Sequence, residues 1–254
     1  MTAPALVALA PGGRDPRTVA TVKALTELVV CLRPDLRAVP AFLDGDEDSL
    51  SEAVDRLVAE GRDEIVVVPL ALTNDSSTDN RIASAVTAIT ARHATLRVHV
   101  ADTLGVDETI FSILDRRLRE ALAAGRVREL DGLVLAGPGS SDPVVNASLA
   151  RAARRWGNRH HLPTVAAFAS HAPPAAGEAV RALRADGRRH IAVGMLFLTQ
   201  GQLADRVTEL SLEAGAVVVA EPLGAEPEIV KNILARYAVG AIDLVDLEAL
   251  FADA

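Results

Sequence analysis

Leu6-Val7-Ala8-Leu9-Ala10-Pro11-Gly12-Gly13-Arg14-Asp15-Pro16 decides the fold. An apolar run of strand length breaks at a Gly-Gly turn. It then reaches Asp15 and Pro16, which suit the N-cap and first turn of a helix. The same construction returns at Leu133-Val134-Leu135-Ala136-Gly137-Pro138-Gly139-Ser140-Ser141-Asp142-Pro143, with the second Asp-Pro 127 positions after the first. Each copy reads as a strand–turn–helix joint whose backbone N–H groups could face an anion. A tight turn of small residues would serve either copy on packing grounds alone.

Outward from these joints the pattern alternates. Thr18–Leu32 predicts a helix, Leu36–Leu43 a strand, and Ser49 or Ser51 to Gly61 a second helix. Ile65-Val66-Val67-Val68-Pro69-Leu70 is a continuous run of the kind buried on both faces of a sheet. After a polar loop come a helix over Asn80–His93, a strand over Leu96–Ala101 and a helix over Thr109–Ala123. Strand and helix in regular alternation mean parallel βαβ units.

The pattern then restarts. Ala41-Phe42 recurs as Ala167-Phe168, Glu52-Ala53-Val54 as Glu178-Ala179-Val180, and Leu72-Thr73 as Leu198-Thr199, all 126 positions on. Leu104-Gly105 recurs as Leu223-Gly224, 119 positions on. The chain is therefore a duplication, with Arg126–Asp131 as its boundary and domains expected at 1–126 and 127–254. Both halves should show one strand order. A short apolar helix is expected over Ile242–Phe251, packed on its own domain.

Composition narrows the function. Half of the 254 residues are apolar and few are aromatic, so the core must be built from Ala, Val and Leu. No apolar run reaches the ~18 residues of a membrane span, and the chain shows no secretory leader. A soluble, cytoplasmic protein is expected, monomer or homodimer. The net charge of −8 argues against nucleic-acid or membrane partners, and it obliges any anionic ligand to find a local basic pocket. The lone Cys31 is expected to be a buried core thiol. No phosphate-loop or dinucleotide fingerprint is present, no nucleophile elbow surrounds Ser140-Ser141, and no organic cofactor is indicated.

The set of Gly-Arg-Asp-Pro, Ala-Phe-Leu-acid, Val-Val-Val-Pro-Leu and Ala-Glu-Pro-Leu-Gly resembles the sirohydrochlorin chelatases, class II chelatases of sirohaem and cobalamin biosynthesis. The resemblance covers nearly the whole chain, in a long form with two fused copies. It implies two tandem parallel-sheet α/β domains with a cleft between them. It also implies insertion of Fe, Co or Ni, as a divalent metal substrate, into a polycarboxylate tetrapyrrole such as sirohydrochlorin. A non-catalytic carrier, a partner subunit, or an enzyme of changed chemistry are the alternatives.

The family's first strand usually leads into Gly-His-Gly-Ser-Arg-Asp-Pro, whose His is a metal ligand. Here that position is Pro11, and the second family His falls at Ser77. In the second copy the first of these positions is Pro138, and the loop after the third strand carries Gln202. Proline has no side-chain donor atom and a serine hydroxyl is a poor neutral ligand, so imidazole ligation cannot be carried over. The acid after Ala-Phe-Leu persists as Asp44. His171, just past the second Ala-Phe strand, is the candidate for a relocated imidazole facing it. Asp44 and His171 are therefore the candidate metal ligands. Gly12, Gly13, Arg14, Ser77, Arg81, Ser140, Gln202 and Arg206 are the candidates for substrate binding, with guanidinium forks suited to carboxylates. In the loop of Asp75 and Asp79, helix capping is the better reading than a hard-cation site.

Overall fold

The computed structural model describes residues 3–45 and 48–244. In chain order its elements are β1 (Ala5–Ala10), α1 (Pro16–Leu32), β2 (Ala38–Phe42), α2 (Leu50–Ala59), β3 (Glu64–Pro69), α3 (Ser76–Thr90), β4 (Arg97–Val100) and α4 (Glu108–Ala124). There follow β5 (Gly132–Gly137), α5 (Pro143–His160), β6 (Thr164–Phe168), α6 (Ala176–Ala185), β7 (Ile191–Met195), α7 (Gln202–Glu213), β8 (Val218–Val219) and α8 (Pro227–Asp243). Two four-stranded parallel sheets result, ordered β2-β1-β3-β4 and β6-β5-β7-β8. The common order is the one the duplication requires. Pro40 is tolerated because β2 is an edge strand with a neighbour on one side only.

Both opening joints form as the sequence implies. Asp15 caps α1 by accepting from the Arg17 N–H, Asp142 caps α5 by accepting from the Val144 N–H, and Pro16 and Pro143 begin their helices. α3 starts four residues earlier than expected, because Asp75 accepts from the Ser77 N–H at 2.9 Å and serves as its N-cap. Cys31 is exposed, not buried. The buried face of α1 is Val22, Leu25, Thr26 and Val29, and a residue two past Val29 falls on the other side. Of the helix expected over 242–251, α8 includes the first two residues and ends at Asp243, and residues 245–251 lie outside those described.

The packing divides the chain differently from the repeat. One compact unit runs to Leu104 and resumes at Ala225, and the other spans Gly105–Gly224. The fourth helix of each copy has changed sheets: α4 packs on β7 and β8, and α8 packs on β3, β4 and α1. The first unit buries Leu9, Val39, Leu57, Ile65 and Val67 in one cluster. The second buries Val134, Val180, Leu183, Ile191 and Val193. Each transferred helix also fastens the chain after the last strand of its unit. Arg117 on α4 donates to the Leu223 carbonyl at 2.9 Å, while Asn232 and Arg236 on α8 donate to the Leu104 carbonyl at 3.1 and 3.3 Å. Arg117 and Arg236, like Leu104 and Leu223, are 119 positions apart, so the fastening is itself duplicated.

Ser211 on α7 is fully buried and its hydroxyl has no hydrogen-bond partner among the described residues. Removing a buried unpartnered hydroxyl relieves a desolvation cost of about 1–3 kcal/mol, offset in part by the small void left behind. Ser211→Ala is therefore expected to leave the midpoint of denaturant unfolding unchanged or raised. A fall of more than about 1 kcal/mol would mean that the hydroxyl is bonded.

Candidate functional site

In parallel α/β units ligands sit at the carboxyl ends of the strands, where loops lead into helix N-termini. In the first unit that edge carries Pro11–Asp15 after β1, Leu43 and Asp44 after β2, and Ala71–Asp75 after β3. The Leu43 N–H donates to the Ala10 carbonyl at 3.0 Å and the Leu70 N–H to the Leu9 carbonyl at 2.7 Å, which draws the three loops to one rim. Gly13 is required there. A Cβ at this position would lie 2.7 Å from both the Asp44 carbonyl oxygen and the Phe42 ring, so only glycine lets the first turn close against the second. Gly12 faces open space.

The side chains of this rim are largely engaged with one another. Arg81 donates to Asp44 at 2.7 Å, both half-exposed, so one expected substrate cation is paired with one expected metal ligand. The Ser77 hydroxyl donates to Asp75 at 2.8 Å and belongs to the start of α3. Arg17 binds Asp15 through its side chain and its N–H, holding that carboxyl below its ordinary value. Burial, and then the neighbouring charge of Asp75, push Asp79 upward. Arg14 is exposed and, among the described residues, has no hydrogen-bond or ion-pair partner. Asn74 and Thr103, which the sequence reading passed over, are hydrogen-bonded to each other across the loops after β3 and β4.

Asp48 closes the loop after β2. Burial raises its pKa, but hydrogen bonds from Arg56 (2.8 Å) and Lys23 (3.3 Å) outweigh burial and leave it lowered. A carboxyl lowered in the folded state stabilises above the ordinary carboxylate value of about 4, and that contribution is lost as pH falls through the folded value. Asp48→Asn should therefore cost roughly 1 kcal/mol at pH 7 and progressively less below pH 4. Unfolding curves of the two proteins, measured from pH 7 to pH 3, should converge. Parallel curves would show that the ion pairs contribute nothing.

In the second unit the equivalent rim begins at Pro138-Gly139-Ser140. Ser140 is buried and its groups are used locally. Its N–H donates to the Asn146 side-chain oxygen at 3.0 Å, its carbonyl accepts from the Asn146 amide at 2.7 Å, and its hydroxyl accepts from the Asp142 N–H at 3.0 Å. His171 is exposed, with φ of 63° in the left-handed region. Its Nδ1 lies 2.8 Å from the Ser170 hydroxyl, which donates to the Pro138 carbonyl at 2.9 Å. A hydroxyl has one proton. With that proton on Pro138, Ser170 accepts from Nδ1–H, which leaves Nε2 outside this contact.

Gln202 opens α7 and is exposed, and Arg206 one turn later is exposed with no hydrogen-bond or ion-pair partner among the described residues. Arg206 is the fifth residue of α7 and Arg81 the sixth of α3, so the two differ by one step, about 100°, around their helices. The loop after β7 holds a contact that the sequence reading missed, Gln200 donating to Glu221 at 2.5 Å. Asn74 and Gln200 are 126 positions apart, and that spacing was the available signal. Among the described residues no three His, Cys, Asp or Glu side chains gather as a metal site, and no helix is long and apolar enough to cross a membrane.

A duplicated parallel α/β architecture, with polar loops and helix starts at the carboxyl edge of each sheet, defines the class. The CbiX family model matches residues 5–121 and 132–239, and the chain belongs to that family. Its similarity to chelatases, suggested by the motifs, extends to two curated proteins of Priestia megaterium. It is 23% identical to a sirohydrochlorin cobaltochelatase over 79% of this chain and 25% identical to a sirohydrochlorin ferrochelatase over 72%. The aligned region spans 64% of the cobaltochelatase's length and 70% of the ferrochelatase's. The fold matches SirB from Bacillus subtilis with Fe3+ at a TM-score of 0.75 and 20% identity, covering 94% of this chain and 96% of that one. A cobalt complex of SirB from Bacillus subtilis subspecies spizizenii also gives a TM-score of 0.75, at 18% identity and coverage of 95% and 97%.

Proposed function

We propose that this chain binds a polycarboxylate tetrapyrrole of the sirohydrochlorin class, with a divalent Fe, Co or Ni ion as second substrate. The observation that carries the proposal is the family match over both copies. The unpartnered Arg14 and Arg206 support it, since charge-assisted hydrogen bonds to carboxylates require guanidinium groups not already neutralised. Gly12 and Gly13 bring the first helix start to the rim, and Gln202 adds a neutral donor. The Ser77 hydroxyl donates to Asp75 and shapes the turn, while the Ser140 hydroxyl accepts from the Asp142 N–H and keeps its own proton for a ligand.

Metal insertion requires a group that accepts pyrrole protons and oxygen or nitrogen donors that pass the metal on. His171, with Nε2 outside its contact with Ser170 and a backbone conformation that costs a non-glycine residue about 1–3 kcal/mol, fits the first need. Asp44 is the candidate for the second, with its Oδ1 held by Arg81. That ion pair, with Pro11 and Ser77 in place of imidazoles, favours a second reading in which the chain carries the tetrapyrrole without inserting metal.

Absorbance titration with sirohydrochlorin separates these readings. Wild type should bind, and Arg14→Ala with Arg206→Ala should weaken binding at least tenfold, given about 1.5–3 kcal/mol for each charged hydrogen bond. A metallated spectrum on adding Co2+ would select the enzyme, and binding without it the carrier. No binding by wild type would defeat the proposal.

A further inference from the structure

We infer that the amino edge of the second sheet is a docking surface for an acidic protein partner, held by Arg126, Arg128, Arg188 and Arg189. This edge lies at the opposite end of the strands from the rim of Ser140 and Gln202, and the inference is independent of the tetrapyrrole reading.

β6, β5 and β7 are parallel neighbours in that order, so the loops entering them share one edge. Arg126 and Arg128 lie in the loop entering β5, His161 in the loop entering β6, and Arg188, Arg189 and His190 in the loop entering β7. Hydrogen bonds tie the three loops together. The Leu133 N–H donates to the Pro163 carbonyl at 2.9 Å and the Asp131 N–H to the His190 carbonyl at 3.0 Å. The Asp131 carboxylate accepts from the N–H groups of Arg189 and His190 at 2.7 and 2.8 Å. Burial raises its pKa, but those two bonds, and then the charges of His190 and Arg188, outweigh burial and leave it lowered. Neighbouring strands stand about 4.8 Å apart, so the three entrances fall within ~10 Å of one another. All six basic residues are exposed, and the four arginine side chains have no hydrogen-bond or ion-pair partner among the described residues.

The duplication supplies the control. The loop entering β3 holds Glu60, Arg62, Asp63 and Glu64 where the loop entering β7, 126 positions on, holds Asp186, Arg188, Arg189 and His190. Two acidic positions of the first copy are therefore Arg and His in the second. The first copy's edge is also internally paired, with Arg37 on Glu60 at 2.7 Å, Arg33 on Asp35 at 2.7 Å, and Arg97 on Glu64. Only the second edge carries guanidinium groups with no acid to meet. Residues 105–224 hold 14 of the 26 basic residues but only 13 of the 34 acidic ones, so the excess negative charge resides in the rest of the chain.

The kind of partner follows from what this edge offers. Its backbone N–H groups are already used, Gly187 on the Arg184 carbonyl, Arg188 on the Leu183 carbonyl, and Arg189 and His190 on Asp131. No nest of free N–H groups is left in this loop to hold a single phosphate. Every Phe, Tyr and Trp among the described residues is buried, which removes the stacking that single-stranded nucleic acid uses. The net charge of −8 opposes a long polyanion. Arg184, in the last turn of α6, donates to the Gly215 carbonyl at 3.3 Å and joins the ends of α6 and α7 at this edge. There Leu212 is 51% exposed and adds an apolar contact. Guanidinium forks beside an aliphatic group suit a protein surface that presents carboxylates.

The test follows the fluorescence anisotropy of a labelled octaglutamate peptide titrated with the full chain at low salt. Wild type should bind it. Arg188→Gln with Arg189→Gln, and separately Arg126→Gln with Arg128→Gln, should each weaken binding at least roughly fivefold, through the loss of charge-assisted hydrogen bonds. Arg151→Gln with Arg154→Gln removes two exposed charges from the middle of α5 and should change the affinity less than about twofold. All four proteins should unfold at the same temperature, because every substituted side chain is exposed. An equal loss in the α5 variant would mean that the peptide follows net charge, and overturns the inference. Tighter binding of a short duplex DNA, lost in the same edge variants, would make this a nucleic-acid surface and overturns the protein partner. Absence of peptide binding by wild type removes the inference whatever sirohydrochlorin does.

Discussion

A fragment comprising residues 1–126, the first copy as the repeat divides the chain, is expected not to fold as a cooperative monomer. It would contain all four strands of the first sheet but lack α8, whose Ile229, Val230, Ile233 and Tyr237 are buried in that unit. Each such side chain contributes about 1.5–3 kcal/mol on burial, so the loss rivals the 5–15 kcal/mol of a whole domain. The Tyr237 hydroxyl also donates to the Pro4 carbonyl at 2.8 Å, tying α8 to the start of β1. The fragment would still carry α4, whose Ile110, Phe111, Ile113, Leu114 and Leu118 would have lost the sheet they cover. Circular dichroism and denaturant titration are the measurements. A sigmoidal transition from a monomeric 1–126 fragment would refute the assignment of α8 to the first unit. A second fragment, residues 105–224, keeps every element of its unit and is expected to fold alone.

Trp156→Ala is expected to cost about 3–5 kcal/mol, the usual range for emptying a fully buried aromatic site. Trp156 is completely buried and packs on Gly194 in β7, where an added Cβ would lie 2.5 Å from the ring. Its indole N–H donates to Asp115 at 2.8 Å, and Asp115 also meets His160 and Arg159 at 2.8 Å each. The ring therefore cannot retreat from an intruding methyl group without breaking that hydrogen bond. Gly194→Ala alone should cost about 1–3 kcal/mol by overpacking. Combined with Trp156→Ala it should cost much less than the sum of the two, because the added methyl enters the space the ring has left. Additive losses in guanidinium unfolding would show that the two residues do not share one site.

The sequence by itself determined the secondary structure, the parallel sheets, the duplication and the family. Those properties are written in local periodicity and in motifs repeated at constant spacing. Asp15 and Asp142 cap helices because a carboxylate two residues before an N–H reaches it wherever the helix later packs. Strands such as Val66-Val67-Val68 are buried on both faces, and their composition says so directly.

Tertiary structure decided which helix covers which sheet and what each polar side chain meets. α4 and α8 are amphipathic in either arrangement, and nothing in their periodicity names which of the two sheets receives them. Arg81 and Asp44 are 37 positions apart, and their pairing depends on how two loops converge at one sheet edge. Ser140, a candidate for substrate binding, exchanges its N–H and carbonyl with the Asn146 side chain six residues on, and its hydroxyl oxygen accepts from the Asp142 N–H. Local hydrogen bonds and burial periods span a few residues and can be read along the chain. Side-chain partners are selected by distances in space, which the order of residues leaves open until the strands and helices are packed.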